Sequence, residues 1–88
     1  MELDNLREEI DQIDRELLSL FCRRMAVVAR VGQYKKERGL PVLNQGREDD
    51  ILARARAQVP PEMGDAACEL LSTAIRLSRA YQEEILRG

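Results

Sequence analysis

Between Leu3 and Tyr34 the chain carries an apolar residue at nearly every third and fourth place for more than four heptads. Positions 3, 10, 17, 24 and 31 are Leu, Ile, Leu, Arg and Val, and positions 6, 13, 20, 27 and 34 are Leu, Ile, Leu, Val and Tyr. A seam of this period, held this long, specifies one long helix packed along a partner. The single charge on it is Arg24. A guanidinium cannot give up its proton, so a buried one needs an anion beside it, and no acid lies on the seam. Two readings stay open: Arg24 snorkels to water, or the anion is a ligand.

Nothing interrupts the helical pattern before Gly39 and Pro41. Asp4 is the expected cap, with Glu8, Glu9 and Asp11 following where the helix dipole favours acids. The first helix is therefore expected from about Asp4 to Arg38, on the order of 50 Å long at the usual rise per residue. A compact domain of 88 residues is only about 30 Å across, so this helix overshoots its own domain. Two shorter helices cannot cover such a seam. The expectation is a single all-α domain over residues 1–88, with three helices, one very long, forming an intertwined homodimer.

The loop GLPVLNQG follows the first helix. Asn44 is a good cap for a second helix running to about Val59, with Ile51, Leu52 and Ala55 facing inward. Pro60 and Pro61 stop it. A third helix is expected from near Asp65 to Leu86, with an inner stripe of Ala67, Leu71, Ala74, Ser78, Tyr81 and Ile85. There is no internal repeat or low-complexity segment.

Composition narrows the function. The net charge of -2 argues against general nucleic-acid binding, which needs a basic face. No apolar run approaches the roughly 20 residues of a membrane span, and MELDNLREE is too charged for a signal peptide. Cys22 and Cys68 stand singly, without CxxC spacing, and read as small core or boundary residues in a reducing compartment. A cytoplasmic protein is expected. The chain has no histidine, which removes the usual metal ligand and the usual general base, so neither a metal site nor a hydrolytic triad is expected.

The informative residues are polar ones standing where apolar ones belong. Arg24, Val28, Val31 and Lys35 share one face of the first helix, with Arg24 and Lys35 about 16 Å apart along the axis. Two long cationic side chains can lean together over the valines and grip a small dianion; taken alone, Lys35 also reads as a solvated lysine near a helix end. Gly32 either lets helices approach closely or makes room for a ligand. Arg7 is too far along the helix to share a small ligand with Arg24. In an antiparallel pairing the partner's Arg7 would be carried toward this chain's Arg24; the competing reading is a surface ion pair with Asp11. Arg47 opens the second helix against the dipole, which hints that it faces something negative, whereas Glu48 suits its place. Ser78 and Gln82 offer neutral hydrogen bonds from the third helix, or are simply a helix hydroxyl and a surface amide. Together they describe an anion pocket without a nucleophile and base, suited to binding or to a reaction needing only shape and charge stabilisation.

These residues carry a resemblance. The run LREEIDQIDRELLSLFCRRMAVVARVGQYKKERGLPVLNQGRED resembles the start of the all-helical chorismate mutases, which share the pattern LRxxIDxID, the RR pair, VGxxK, a PV loop and an R-E pair opening the next helix. The likeness is specific from Leu6 to Glu48 and looser in the third helix, where it rests on Ser78 and Gln82. It implies an intertwined helical dimer with two active sites that converts chorismate to prephenate by a Claisen rearrangement, without cofactor, in the phenylalanine and tyrosine branch of aromatic amino-acid biosynthesis. By motif position Arg24 would bind one substrate carboxylate, and Arg7 of the other protomer would bind the second. Lys35 and Gln82 would hydrogen-bond the ether oxygen and Glu48 the ring hydroxyl, with Arg47 and Ser78 completing the pocket. The position of Asn44 is often aspartate in relatives; asparagine keeps the cap. The alternatives are an isochorismate-pyruvate lyase on the same fold, a non-catalytic dimerising or regulatory module, and a plain coiled coil.

Overall fold

The computed structural model describes residues 1–88. Three α-helices, α1 (Glu2–Arg38), α2 (Gln45–Gln58) and α3 (Gly64–Arg87), follow one another with a turn of 3-10 helix at Pro61–Met63 before the last.

Helix α1 begins ahead of the acid expected to cap it. Asp4 lies inside the first turn with Glu2, and no side chain caps the end. Glu2 and Leu3 are good helix formers, so the helix continues upstream, and both acids act on the dipole instead. The other end is closed tightly. Gly39 adopts φ 65° and ψ 30°, the left-handed region that suits glycine. Its N–H donates to Lys36 O, and the next N–H, of Leu40, donates to Lys35 O at 2.9 Å. This is a Schellman closure, reinforced by Lys35, Lys36 and Arg38 at the negative end of the helix.

Asn44 caps α2 as its residue type indicates: with φ −132°, its side chain accepts from Arg47 N at 3.1 Å. Pro60 and Pro61 end α2, and Pro61 starts the 3-10 turn. All three helices lie within two residues of their expected ends, the range over which helix termini fray. Arg56 donates to Asp65 at 2.8 Å, bridging α2 and α3 at the surface. That hydrogen bond holds the guanidinium above its already high ordinary pKa, which changes nothing at working pH.

Helix α3 packs against both α1 and α2. Where α3 passes Gly32 of α1 the packing is tight: a Cβ on Gly32 would lie 3.1 Å from Ile85 Cδ1, which would have to give by a few tenths of an ångström, and in contact with Gln82 Cγ at 3.4 Å. Close packing is therefore what Gly32 provides, and one residue it admits is Gln82. On α2, Ala55 is buried and Ile51 and Leu52 are half-buried, as expected. The stripe expected on α3 needs correction. Ser78 is buried and Ala67, Leu71, Ala74 and Ile85 are half-buried, but Tyr81 is exposed, and Gly64, Ile75 and Gln82 hold the remaining inner places. A single stripe describes a helix with one neighbour; α3 has two, on adjacent sides. Cys22 also departs from expectation. It is exposed, on the side of α1 away from Arg24 two residues on, while Cys68 is half-buried with its thiol 3.5 Å from Leu52 O. The two are not joined.

The molecule measures 55 × 28 × 14 Å, with a radius of gyration of 16.1 Å. A compact chain of this length would have about 12 Å, and the excess is α1. Residues 1–20 are all exposed, and along the seam Ile10 is 56%, Ile13 60% and Leu20 55% exposed. Only eight of the 88 residues are buried, so α2 and α3 leave most of the apolar side of α1 uncovered.

Candidate active site

Where α1, the loop before α2, α2 and α3 converge they enclose a cavity of about 390 Å³. Its floor is hydrocarbon, formed by Val27, Val28, Val31, Val42, Ile51 and Ile75, and its remaining lining is polar.

Arg24 enters from α1, half-buried. Its Nη1 donates to Ser78 Oγ and, at a longer 3.5 Å, reaches Ala74 O. Ser78, buried on α3, donates its own proton to Ala74 O at 2.7 Å. That back-bond leaves the hydroxyl oxygen free to accept from the guanidinium. Both partners of Arg24 are neutral, and it takes part in none of the chain's salt bridges. Its charge is thus uncompensated by protein, and the remaining guanidinium donors are available.

Three turns further along α1, Lys35 is half-buried and donates to Val42 O at 2.7 Å. The bond pins the loop across the end of the cavity and occupies one of three ammonium hydrogens. Asn44 lines the same wall, its carbonyl engaged with Arg47 N and its NH₂ group free of that cap. Arg47, exposed, and Glu48, half-buried, follow on the first turn of α2. From α3 comes Gln82, only 7% exposed, whose Oε1 has no hydrogen-bond partner. A buried polar atom that the protein itself does not pair is open to a partner from within the cavity. Rotating the terminal amide exchanges its acceptor and donor ends, so the same group can present N–H to the cavity.

Seven residues singled out from sequence, Arg24, Lys35, Asn44, Arg47, Glu48, Ser78 and Gln82, therefore line one cavity. Arg7 does not. It lies about 25 Å from Arg24 along the helix, is exposed, and does not form the ion pair with Asp11 that was its competing reading. One lining residue escaped the sequence reading. Arg79 Nε lies 3.0 Å from Glu48 Oε2, but its N–H is not aimed at that oxygen, so the contact is an ion pair without a hydrogen bond. The signal was its spacing: Ile75, Ser78, Arg79 and Gln82 fall at i, i+3, i+4 and i+7, one helical face.

The lining holds four cations (Arg24, Lys35, Arg47, Arg79) against one carboxylate, Glu48, in a chain whose net charge is -2. Positive charge is thus concentrated here against the overall balance. No three His, Cys, Asp or Glu side chains in the chain converge to hold a metal ion. The arrangement offers fixed donors over a hydrocarbon floor, which suits a small, multiply charged anion held in one conformation.

Comparison with known proteins agrees with that chemistry. The family described as chorismate mutase type II matches residues 6–83. The chain is 36% identical over 84 residues to the T-protein of Haemophilus influenzae, covering 93% of this chain and 22% of that protein. It is 37% identical over 70 residues to the intracellular chorismate mutase of Mycobacterium bovis, covering 80% of this chain and 66% of that one. It is 37% identical over 54 residues to the 4-amino-4-deoxychorismate mutase of Streptomyces venezuelae, covering 61% and 52%. The chain thus spans about a fifth of the first of these relatives and from about half to two thirds of the other two. No solved structure matches it significantly. With 78 of its 88 residues inside one family pattern, this chain belongs to the chorismate mutase type II family.

Proposed function

We propose that the protein converts chorismate to prephenate, in the phenylalanine and tyrosine branch of aromatic amino-acid biosynthesis. The observation that carries this reading is Arg24: a half-buried guanidinium with only neutral partners, opening on a cavity that also holds Lys35 and an unpaired Gln82 amide. Chorismate is a dicarboxylate with an ether oxygen and one ring hydroxyl. Arg24 takes one carboxylate, Lys35 and Gln82 donate to the ether oxygen, and Glu48 accepts from the hydroxyl. Arg47, Ser78 and Asn44 complete the walls.

The rearrangement is unimolecular and needs neither a covalent intermediate nor proton transfer. The protein has to hold the flexible enolpyruvyl chain over the ring, which is a matter of orientation. It also has to stabilise the negative charge that grows on the ether oxygen as the C–O bond breaks. Donors already fixed toward that point, such as Lys35 and Gln82, each contribute about 3 kcal/mol to such a transition state.

The second carboxylate falls to Arg7 of a second copy, in an intertwined homodimer whose long helices lie side by side along the seam. The exposed Leu3, Leu6, Ile10, Ile13, Leu17 and Leu20 support that pairing, since an apolar strip of this length otherwise faces water. Two unjoined cysteines support a reducing compartment, and no helix is long and apolar enough to cross a membrane; the cytoplasm is the location proposed. The direct test is chorismate depletion by the purified protein with the product identified. Prephenate formation confirms the reading. Absence of turnover, or pyruvate release from isochorismate in its place, refutes it.

A further inference from the structure

Arg79 is the one cation of the cavity to which the rearrangement assigns no role. Its side chain is 43% exposed and that of Glu48 15%, so the carboxylate is the inner member of the pair and the guanidinium lies over it from outside. Glu48 is the sole carboxylate lining the cavity. The carboxylates and ether oxygen of chorismate only accept hydrogen bonds, and its ring hydroxyl is its one donor; a lone glutamate therefore suits the hydroxyl. This step rests on the function proposed above.

A bare carboxylate at that point would favour an ammonium over a hydroxyl, because a charge-assisted hydrogen bond is the stronger. Paired with Arg79, it presents no net charge. A neutral hydroxyl still finds an acceptor oxygen, whereas an ammonium also meets a fixed cation close by. We infer that Arg79 is a specificity-determining residue, which neutralises Glu48 and so selects a substrate with a hydroxyl on the ring over one with an amino group. This is discrimination through a built-in repulsion. Arg24, Lys35 and Arg47 are the other charged groups facing the cavity. They act on both substrates and do not change with Arg79.

The experiment compares chorismate with 4-amino-4-deoxychorismate, the compound in the name of the Streptomyces venezuelae relative, as the ratio of their kcat/KM values at neutral pH. Wild type is expected to favour chorismate. Arg79→Gln is expected to move the ratio toward the amine by about tenfold, about 1.4 kcal/mol. Arg79→Lys, which keeps the charge, should stay near wild type. A purely structural role would slow both substrates alike and leave the ratio unchanged. A second readout needs no variant. In the wild-type protein, relative use of the amine should rise as pH passes the amine's own pKa, and titrations of the protein common to both substrates cancel in the ratio. An unchanged ratio in Arg79→Gln, or a flat ratio against pH, in a protein that rearranges chorismate overturns this inference alone. Failure of the wild-type protein to rearrange chorismate overturns the proposed function and this inference with it.

Discussion

Replacing Arg24 by leucine separates the two demands placed on that position. Within the chain the substitution removes one charge-assisted hydrogen bond to Ser78 Oγ and a marginal contact of 3.5 Å to Ala74 O. Ser78 keeps its own bond to Ala74 O at 2.7 Å, so its proton is not orphaned. The loss is about 1–2 kcal/mol. A leucine recovers a similar amount by completing the apolar seam, about 1.5–3 kcal/mol if it becomes fully covered. Stability of the assembled protein should therefore change by no more than about 1 kcal/mol, and replacing a buried charge by a hydrocarbon tends to stabilise.

Catalysis has no such compensation. On the proposed assignment, a substrate carboxylate that loses its guanidinium is left in a cavity whose lining includes Val28 and Ile75. Truncating one side of a buried charged pair costs about 2–5 kcal/mol, equivalent to roughly 30- to 5,000-fold in kcat/KM. The assay is initial-rate chorismate loss, with the unfolding midpoint and oligomeric state measured on the same preparation. Arg24→Leu with kcat/KM within a few-fold of wild type and an intact fold would refute the assignment of Arg24, and the plain coiled-coil reading would gain in its place.

Three further outcomes are expected. Gly32→Ala gains about 1 kcal/mol of helix propensity but sets a Cβ 3.1 Å from Ile85 Cδ1, one turn from Gln82 on the same helix; the unfolding midpoint should barely move, while kcat falls about tenfold if the shift that relieves Ile85 carries Gln82 with it. Equal loss of stability and activity would show that Gln82 is not the group affected. Asn44→Ala removes the acceptor for Arg47 N and should lower unfolding free energy by about 1 kcal/mol, with Asn44→Asp restoring it in denaturant titrations. Mixing an Arg7→Ala chain with an Arg24→Ala chain should restore part of the activity lost by each, because some heterodimers carry one site with both arginines; no recovery on mixing, with exchange of chains verified, would exclude a shared site.

The seam made the length of α1 legible, since a period held over more than four heptads leaves one regular solution. It also exposed Arg24, because a charge stands out against that period. The face shared by Arg24, Val28, Val31 and Lys35 follows from helical geometry alone and reappears along one wall of the cavity. Asn44 and the proline pair were legible for a similar reason: their chemistry acts on the adjacent backbone. What escaped depended on neighbours distant in sequence. Tyr81 was placed inward by extending one stripe along α3, but packing against two helices turns Gln82 inward and leaves Tyr81 at the surface. Arg79 is one of twelve arginines in the chain, and only the approach of α2, carrying Glu48, sets it apart. Asp4 was misjudged as a boundary because a carboxylate near a helix start serves equally well as a cap or as a charge on the dipole.

Arg24, Val27 and Val31 belong to the heptad seam and also line the cavity. In the proposed dimer, the face of α1 that would meet a second copy and the face that would bind the substrate are therefore one continuous surface. A partner helix that covered this part of the seam would exclude water from the neighbouring cavity, strengthening every charged contact within. On the proposed function, a seam otherwise made of Leu, Ile, Val and Tyr tolerates one arginine because, where the helix crosses the cavity, packing against hydrocarbon would give way to neutralisation by a bound anion. In the proposed dimer, association and catalysis then draw on the same side chains, and the charge that weakens the seam as a coiled coil is the charge that the substrate requires.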